Sequence, residues 1–278
     1  MFCPTNFQEV NVEISGKVFV VTGGGNGIGR EVVLELLRRG AKVAAVDVNA
    51  ANLAETGTLA NAGDRFTEHK VDITDRAAVE KLPKAVMAKH GAVDGVINVA
   101  GIVHRFAPVH ELNYDEIERV VNVNFWGTLH IVKTFLPELL QRPAASLVNI
   151  SSMGGLAPVP GQTIYGATKA GVKLLTEGIS GEVRGSNLTV TVVFPGGVGT
   201  NILGNSGVEM KGDPLKPENA QMKLTSPADA GRQIVEAVAK GQQRLRIGND
   251  AKLLDRMSRL MPVKVIGAIA DKMKGLMD

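Results

Sequence analysis

The chain has 278 residues, 44% apolar and 21% charged, with a net charge of +3, a length that suits one large domain or two small ones and buries a core without disulfides or metals. So small a charge carries no nucleic-acid signature, and the one cysteine, Cys3, permits no internal disulfide, which fits a reducing, cytoplasmic setting. No apolar run is long enough for a spanning helix, and no basic segment followed by an apolar one reads as a signal peptide.

Short apolar runs alternate with longer segments of helical period. KVFVVTG (17–23) reads as a buried strand and GREVVLELLRRG (29–40) as a helix ending at Gly40. AKVAAVDV (41–48) is a second strand, followed by a helix to about Ala62. RFTEHKVDITD (65–75) holds a third strand, and a helix then runs to about His90. VDGVINVAG (93–101) is a fourth strand, residues 113–140 form one long helix, and ASLVNISS (145–152) is a fifth strand. A helix rich in small residues covers about 164–185, LTVTVVFPG (188–196) is a sixth strand, and RLRIG (244–248) is a seventh. Val-rich strands alternating with helices indicate a parallel sheet covered on both faces. The expected fold is α/β: a single doubly wound Rossmann domain over residues 15–250, with a seven-stranded parallel sheet. Residues 1–14 form an extension. Residues 201–226, polar and punctuated by Gly and Pro, read as a lid beyond a strand's carboxyl end.

TGGGNGIG (22–29) joins the first strand to the first helix. Its Gly23, Gly25, Asn26, Gly27, Ile28 and Gly29 would let the backbone turn tightly and approach a phosphate at a helix N-terminus. Asp47 follows Gly29 by eighteen residues, at the end of the second strand. A carboxylate there accepts hydrogen bonds from a ribose and repels a 2′-phosphate. No base adjoins it in VDVNA, and Asn26 rather than a base precedes Gly27, so NAD(H) is expected over NADP(H). The plainer role for Asp47 is a helix cap. Asp72, with Ile73 beside it in VDITD, and Asn98 in NVAG end strands at the same crevice. Asp72 would accept from an adenine amino group; both also suit loop caps.

These pieces together resemble the short-chain dehydrogenase/reductase family over about residues 15–250. TGGGNGIG is similar to its TGxxxGxG loop, and NVAG (98–101) to its NNAG, with Val99 in place of the second asparagine. Asn124 in VVNVNFWG, Ser152, YGATK (165–169) and PGGVGT (195–200) match its asparagine, serine, YxxxK and PGxVxT motifs in order. Val99 is expected to loosen hydrogen bonding at the strand ends slightly.

The resemblance implies an alcohol–ketone oxidoreductase whose catalytic set is Asn124, Ser152, Tyr165 and Lys169. Positions i and i+4 share one helix face, so Lys169 lies beside Tyr165. A nearby ammonium favours phenolate and is expected to lower the tyrosine pKa toward working pH. Tyr165 would then remove the alcohol proton in oxidation and donate it to the carbonyl oxygen in reduction. Ser152 would bind that oxygen; Ser151 is its rival, and family spacing favours Ser152. The resemblance further implies that Lys169 bonds the nicotinamide ribose, that Asn124 holds a water leading from Lys169 to solvent, and that Val198 and Thr200 contact the nicotinamide amide. It also implies a homodimer or homotetramer joined through the two long helices.

No metal is expected, because His69, His90, His104, His110 and His130 show no ligand spacing. His104 and His110 lie in the loop after the fourth strand, which can border a substrate pocket; a surface role is expected for both. The substrate pocket would draw on Met153, Gly154, Gly155, residues 157–163 and the lid. Its few charges favour a weakly charged secondary alcohol or ketone, while Lys211, Lys216 and Lys223 offer an acidic tail a partner. At 251–278, Leu253, Leu254, Met257, Leu260 and Met261, then Ile266, Ile269, Ala270, Met273, Leu276 and Met277, mark two amphipathic helices divided by Pro262. Residues 244–278 hold eight Lys/Arg against four Asp. The periodicity favours packing on the domain or a sister subunit; a membrane surface is the alternative, which would make the chain a steroid or lipid oxidoreductase. A non-catalytic NAD-binding interaction protein is a third reading, against which Tyr165 and Lys169 argue.

Overall fold

The strands form because Val, Ile and Ala runs bury on both faces of a parallel sheet. In a computed structural model, which describes residues 12–208 and 224–273, these are β1 (Val18–Thr22), β2 (Lys42–Asp47), β3 (Phe66–Lys70), β4 (Gly95–Asn98), β5 (Ala145–Ile150), β6 (Leu188–Pro195) and β7 (Arg244–Ile247). All pair in parallel, in the order β3-β2-β1-β4-β5-β6-β7. The chain reverses its direction of travel across the sheet between β3 and β4, so the crevice at the carboxyl ends of β1 and β4 is the switch point where such folds bind ligands.

Eleven α-helices are described: α1 (Gly27–Arg38), α2 (Ala50–Ala60), α3 (Arg76–Val79), α4 (Leu82–His90), α5 (Tyr114–Val121), α6 (Thr128–Leu140), α7 (Thr163–Glu182), α8 (Ile202–Asn205), α9 (Pro227–Ala239), α10 (Asn249–Leu260) and α11 (Pro262–Met273). One core places Val32, Val33 and Leu36 of α1 and Ile234, Val235 and Val238 of α9 against one sheet face. A second places Val86, Ile131, Phe135 and Ile179 against the other.

Three elements depart from the sequence reading. The helix expected up to His90 is two, because Pro83 has no N–H to continue the ladder and sits in the first turn of α4. The long helix expected over 113–140 contains a π-helical stretch, Asn122–Gly127, between α5 and α6. Helix α9 was not foreseen, although Ser226 caps it by accepting from the Asp229 N–H at 3.0 Å and Pro227 opens it. Of the expected lid, residues 209–223 lie outside the described residues; 201–208 contain the short α8. At the other end, α10 and α11 divide at Met261 and Pro262 as the periodicity indicates.

Candidate active site

Asn26 starts α1: its Oδ1 accepts from the Gly27 N–H at 2.7 Å. Only glycine fits at position 29, where a Cβ would lie 2.0 Å from the Gly23 carbonyl oxygen. The turn thus folds directly onto the helix start, leaving first-turn N–H groups without intrahelical partners. The Gly25 N–H donates to Asp47 Oδ2 at 3.0 Å, which sets that carboxylate beside the loop. Arg30 locks the loop from behind, donating to the Gly25 carbonyl, to Thr56 and to Glu55.

The other two expected strand-end residues behave differently. Asp72 is exposed, and its Oδ1 accepts from the Thr74 N–H and hydroxyl at 2.8 Å, a local turn. Ile73 is buried beneath it. Asn98 is buried and spends its amide inside the sheet, donating to Asn149 Oδ1 at 2.8 Å and accepting from the Thr22 hydroxyl. That same hydroxyl accepts from the Val99 N–H at 3.1 Å, so the strand ends stay stitched by backbone where Val99 stands.

Ser152, Tyr165 and Lys169 come together at the carboxyl end of β5. Ser151 is not equivalent to Ser152: its hydroxyl is buried and donates to the Lys169 carbonyl at 2.7 Å. The Ser152 hydroxyl accepts from the Gly154 N–H and interacts with Tyr165. Lys169 is 4% exposed, with Nζ 5.9 Å from the Tyr165 ring centroid and donating to the Ile150 carbonyl at 3.0 Å. Asn124 is fully buried within the π-helical stretch. It accepts from the Ile102 N–H and donates to the Ile102 carbonyl, both at 2.9 Å, and also donates to Thr168. It therefore fixes the chain after β4 to α7.

The electrostatics differ from the sequence expectation. Burial raises the Tyr165 phenol above its ordinary value, and Ser152 offsets only part of this. Burial also lowers the Lys169 ammonium to about 8. The ammonium lies over the ring and bonds a carbonyl rather than the phenolic oxygen, so desolvation outweighs attraction and disfavours both charged forms.

A cleft of about 220 Å³ joins these parts. Ile28 of the glycine turn, Val99, Ser152, Tyr165, Lys169 and residues 195–198 and 200 all line it. Thr200 also closes over the turn, since a Cβ on Gly27 would meet it at 3.4 Å.

Of two residues beside the cleft, His104 departs from the surface role expected of it, and Gln162 falls within the expected pocket segment 157–163. His104 is not a surface residue but is 3% exposed, because its ring is packed under α7 and its Nε2 accepts from the Tyr165 N–H at 3.4 Å. Gln162 lines the cleft and donates to the His104 carbonyl at 2.7 Å. Its place three residues before Tyr165 was a usable signal. His110 is exposed, as expected. Asp250 Oδ2 accepts from the Gly197 N–H at 2.7 Å, tying α10 to the cleft wall. Among the described residues no cluster of three His, Cys, Asp or Glu side chains suits a metal ion.

The family described as short chain dehydrogenase matches residues 17–211. Over 252 residues the chain is 39% identical to the Mycobacterium tuberculosis protein named "Putative oxidoreductase SadH", across 88% of this chain and 91% of that one. It is 32% identical over 190 residues to the 3-oxoacyl-(acyl-carrier-protein) reductase FabG of Thermotoga maritima, across 68% of this chain and 77% of the relative. A solved short chain dehydrogenase/reductase from Burkholderia phymatum in complex with NAD matches with a TM-score of 0.82 at 27% identity, across 91% of this chain and 96% of that chain. The chain therefore belongs to the short-chain dehydrogenase/reductase family of oxidoreductases.

Proposed function

We propose that this oxidoreductase interconverts a secondary alcohol and a ketone with NAD(H), using Tyr165 as acid and base. The observation that carries the reading is that Ser152, Tyr165 and Lys169 share one cleft with the start of α1. The residues present fit a dinucleotide: a glycine turn that a Cβ would block, helix-start N–H groups for a pyrophosphate, and the Asp47 carboxylate for a ribose. When bound, the nicotinamide supplies or accepts the hydride and, oxidised, brings a positive charge. In reduction, the Tyr165 phenol donates its proton to the carbonyl oxygen as carbon gains hydride. Its raised pKa keeps the phenol in the donating form. Ser152 would bind the same oxygen and stabilise its developing charge. In oxidation Tyr165 takes the alcohol proton, which needs a cation nearby to favour phenolate.

The remaining assignments belong to the same proposal. Lys169 would bond the nicotinamide ribose, Asn124 would hold a relaying water, and Val198 and Thr200 would meet the nicotinamide amide. Asp72 and Ile73 would border the adenine, while Asn98 supports the crevice through the sheet. The expected outcome for Tyr165→Phe is loss of turnover by about 100-fold or more with NADH binding retained. Turnover near wild type in that variant, with a panel of ketones and secondary alcohols, would return the chain to the non-catalytic reading.

A second reading concerns the tail. Helix α10 packs on β7 and α11 packs on α10, yet the two leave Leu253, Leu260, Val263 and Ile266 exposed among Lys252, Arg256, Arg259 and Lys264. This apolar face framed by cations favours contact with an anionic lipid surface.

A further inference from the structure

We infer that Gln162 recognises the substrate, and that the substrate carries a second hydroxyl close to the carbon that reacts. The inference rests on the cleft being the dehydrogenase site proposed above. Gln162 is 4% exposed and immediately precedes α7, three residues before Tyr165. Its backbone is held on both sides: its N–H donates to the Val159 carbonyl and its carbonyl accepts from the Gly166 N–H, each at 2.9 Å. Its side-chain amide donates from Nε2 to the His104 carbonyl at 2.7 Å. A carbonyl oxygen can only accept, so this bond fixes which way the amide faces and leaves Oε1 as the open atom.

Oε1 is buried and has no hydrogen-bond partner among the described residues. Three other buried side-chain atoms share that condition, on His90, Ser146 and Arg244, and none of those residues lines this cleft. A buried acceptor without a donor is costly, so native structures supply one from protein, water or ligand. Of the other side chains that line the cleft, Ser151, Ser152, Tyr165, Lys169 and Thr200 carry donors but none is bonded to Oε1, and Val103, Phe106, Met153, Val159 and Leu203 carry no donor of ordinary strength. The group that completes Oε1 therefore arrives with whatever fills the cleft. A neutral carbonyl-type acceptor suits a neutral donor and disfavours a carboxylate, which would set two acceptors against each other.

A hydroxy ketone meets this description. Its carbonyl carbon takes hydride from NADH and its carbonyl oxygen takes the Tyr165 proton, giving a diol and NAD+. The second hydroxyl donates to Gln162 Oε1 and is itself unchanged.

The test compares acetoin with butanone, its counterpart lacking the hydroxyl, as substrates with NADH. Wild type should favour acetoin in kcat/KM by roughly 10- to 100-fold, and Gln162→Met should bring the ratio near unity. A general disturbance of the fold lowers both rates together and leaves the ratio standing, so an undiminished ratio in Gln162→Met overturns the inference. So does a wild-type enzyme that prefers butanone. If neither compound is turned over, the reaction reading fails separately, and calorimetric binding to the protein with NADH decides the role of Gln162. Tighter binding of acetoin in wild type, lost in Gln162→Met, supports it; equal or undetectable binding of both in wild type overturns it.

Discussion

At Tyr165 burial, more than the neighbouring ammonium, sets the acidity of the phenol. The sequence places Lys169 one turn away, and Coulomb attraction alone would lower the pKa of the phenol. The structure buries both groups, and desolvation then acts on each: upward on Tyr165, down to about 8 on Lys169. As pH rises in the free protein, Lys169 is thus neutralised before Tyr165 ionises. An ultraviolet titration of phenolate, wild type minus Tyr165→Phe, checks this, since Tyr114 is the only other tyrosine. The midpoint should lie above about 10 without cofactor and fall when NAD+ is bound; a midpoint below the ordinary value in the free protein would mean that the ammonium dominates. Asp47 carries a second residue-scale expectation. Its carboxylate is fixed by the N–H groups of Gly25 and Asn49, each at 3.0 Å, and Arg30 nearby is engaged by Glu55. Wild type should prefer NAD over NADP, and Asp47→Asn should narrow that preference at least 10-fold by removing the repulsion of a 2′-phosphate. Comparison of kcat/KM for the two cofactors measures it, and a wild-type preference for NADP rejects the assignment.

At the scale of elements, the strands were legible because burial on both faces demands continuous apolar runs, and β1, β2 and β5 read so without ambiguity. The glycine turn and Tyr165–Lys169 were legible because each is a local pattern whose spacing carries its geometry. What stayed hidden depends on partners distant in sequence. The ring of His104 goes inward because Tyr165, 61 positions on, offers it an N–H. The π-helical stretch seats Asn124 against Ile102 and Thr168, which no helical period foretells. Asp255 looked like one charge on an amphipathic helix, yet it is buried and gathers Arg244, Arg246 and Arg259 at 3.0 Å each. Burial would raise its carboxyl, and the Arg259 and Arg244 guanidiniums bring it below the usual range. Asp250 is the consequential case, because its bond to Gly197 couples a tail helix to the cleft wall. Asp250→Ala should leave that loop loose at a cost of roughly 1–2 kcal/mol. The expected readout is a KM for NADH raised about 10-fold with kcat less affected; an unchanged KM would mean the loop keeps its shape without the clamp.

At the scale of the whole molecule, several large apolar side chains stay exposed among the described residues once both cores are filled, and two groups of them bear on assembly. One comprises Trp126 of the π-helical stretch, Leu140 of α6 and Leu174 of α7, all exposed. Burying those side chains is what the homodimer or homotetramer implied by the family resemblance would achieve. The other is the tail face, and its charges argue for a different occupant. Asp255 is neutralised by arginines, so from Lys252 to Ala270 the exposed charges are all positive. Two copies of such a face would repel, whereas an anionic bilayer would accept the apolar side chains and the cations together. Among the described residues no helix is long and apolar enough to cross a membrane, so contact would be at the surface. The full chain should therefore pellet with vesicles containing phosphatidylserine, weakly with phosphatidylcholine alone, and less as salt rises. Replacing Leu260 and Val263 with serine should reduce pelleting several-fold while the sedimentation coefficient without lipid stays that of wild type. Leu174→Glu should do the reverse, lowering the assembled mass and sparing vesicle binding. If the tail variant instead lowers the mass, or the wild type ignores anionic vesicles, the tail face is a protein interface and the two surfaces serve one assembly.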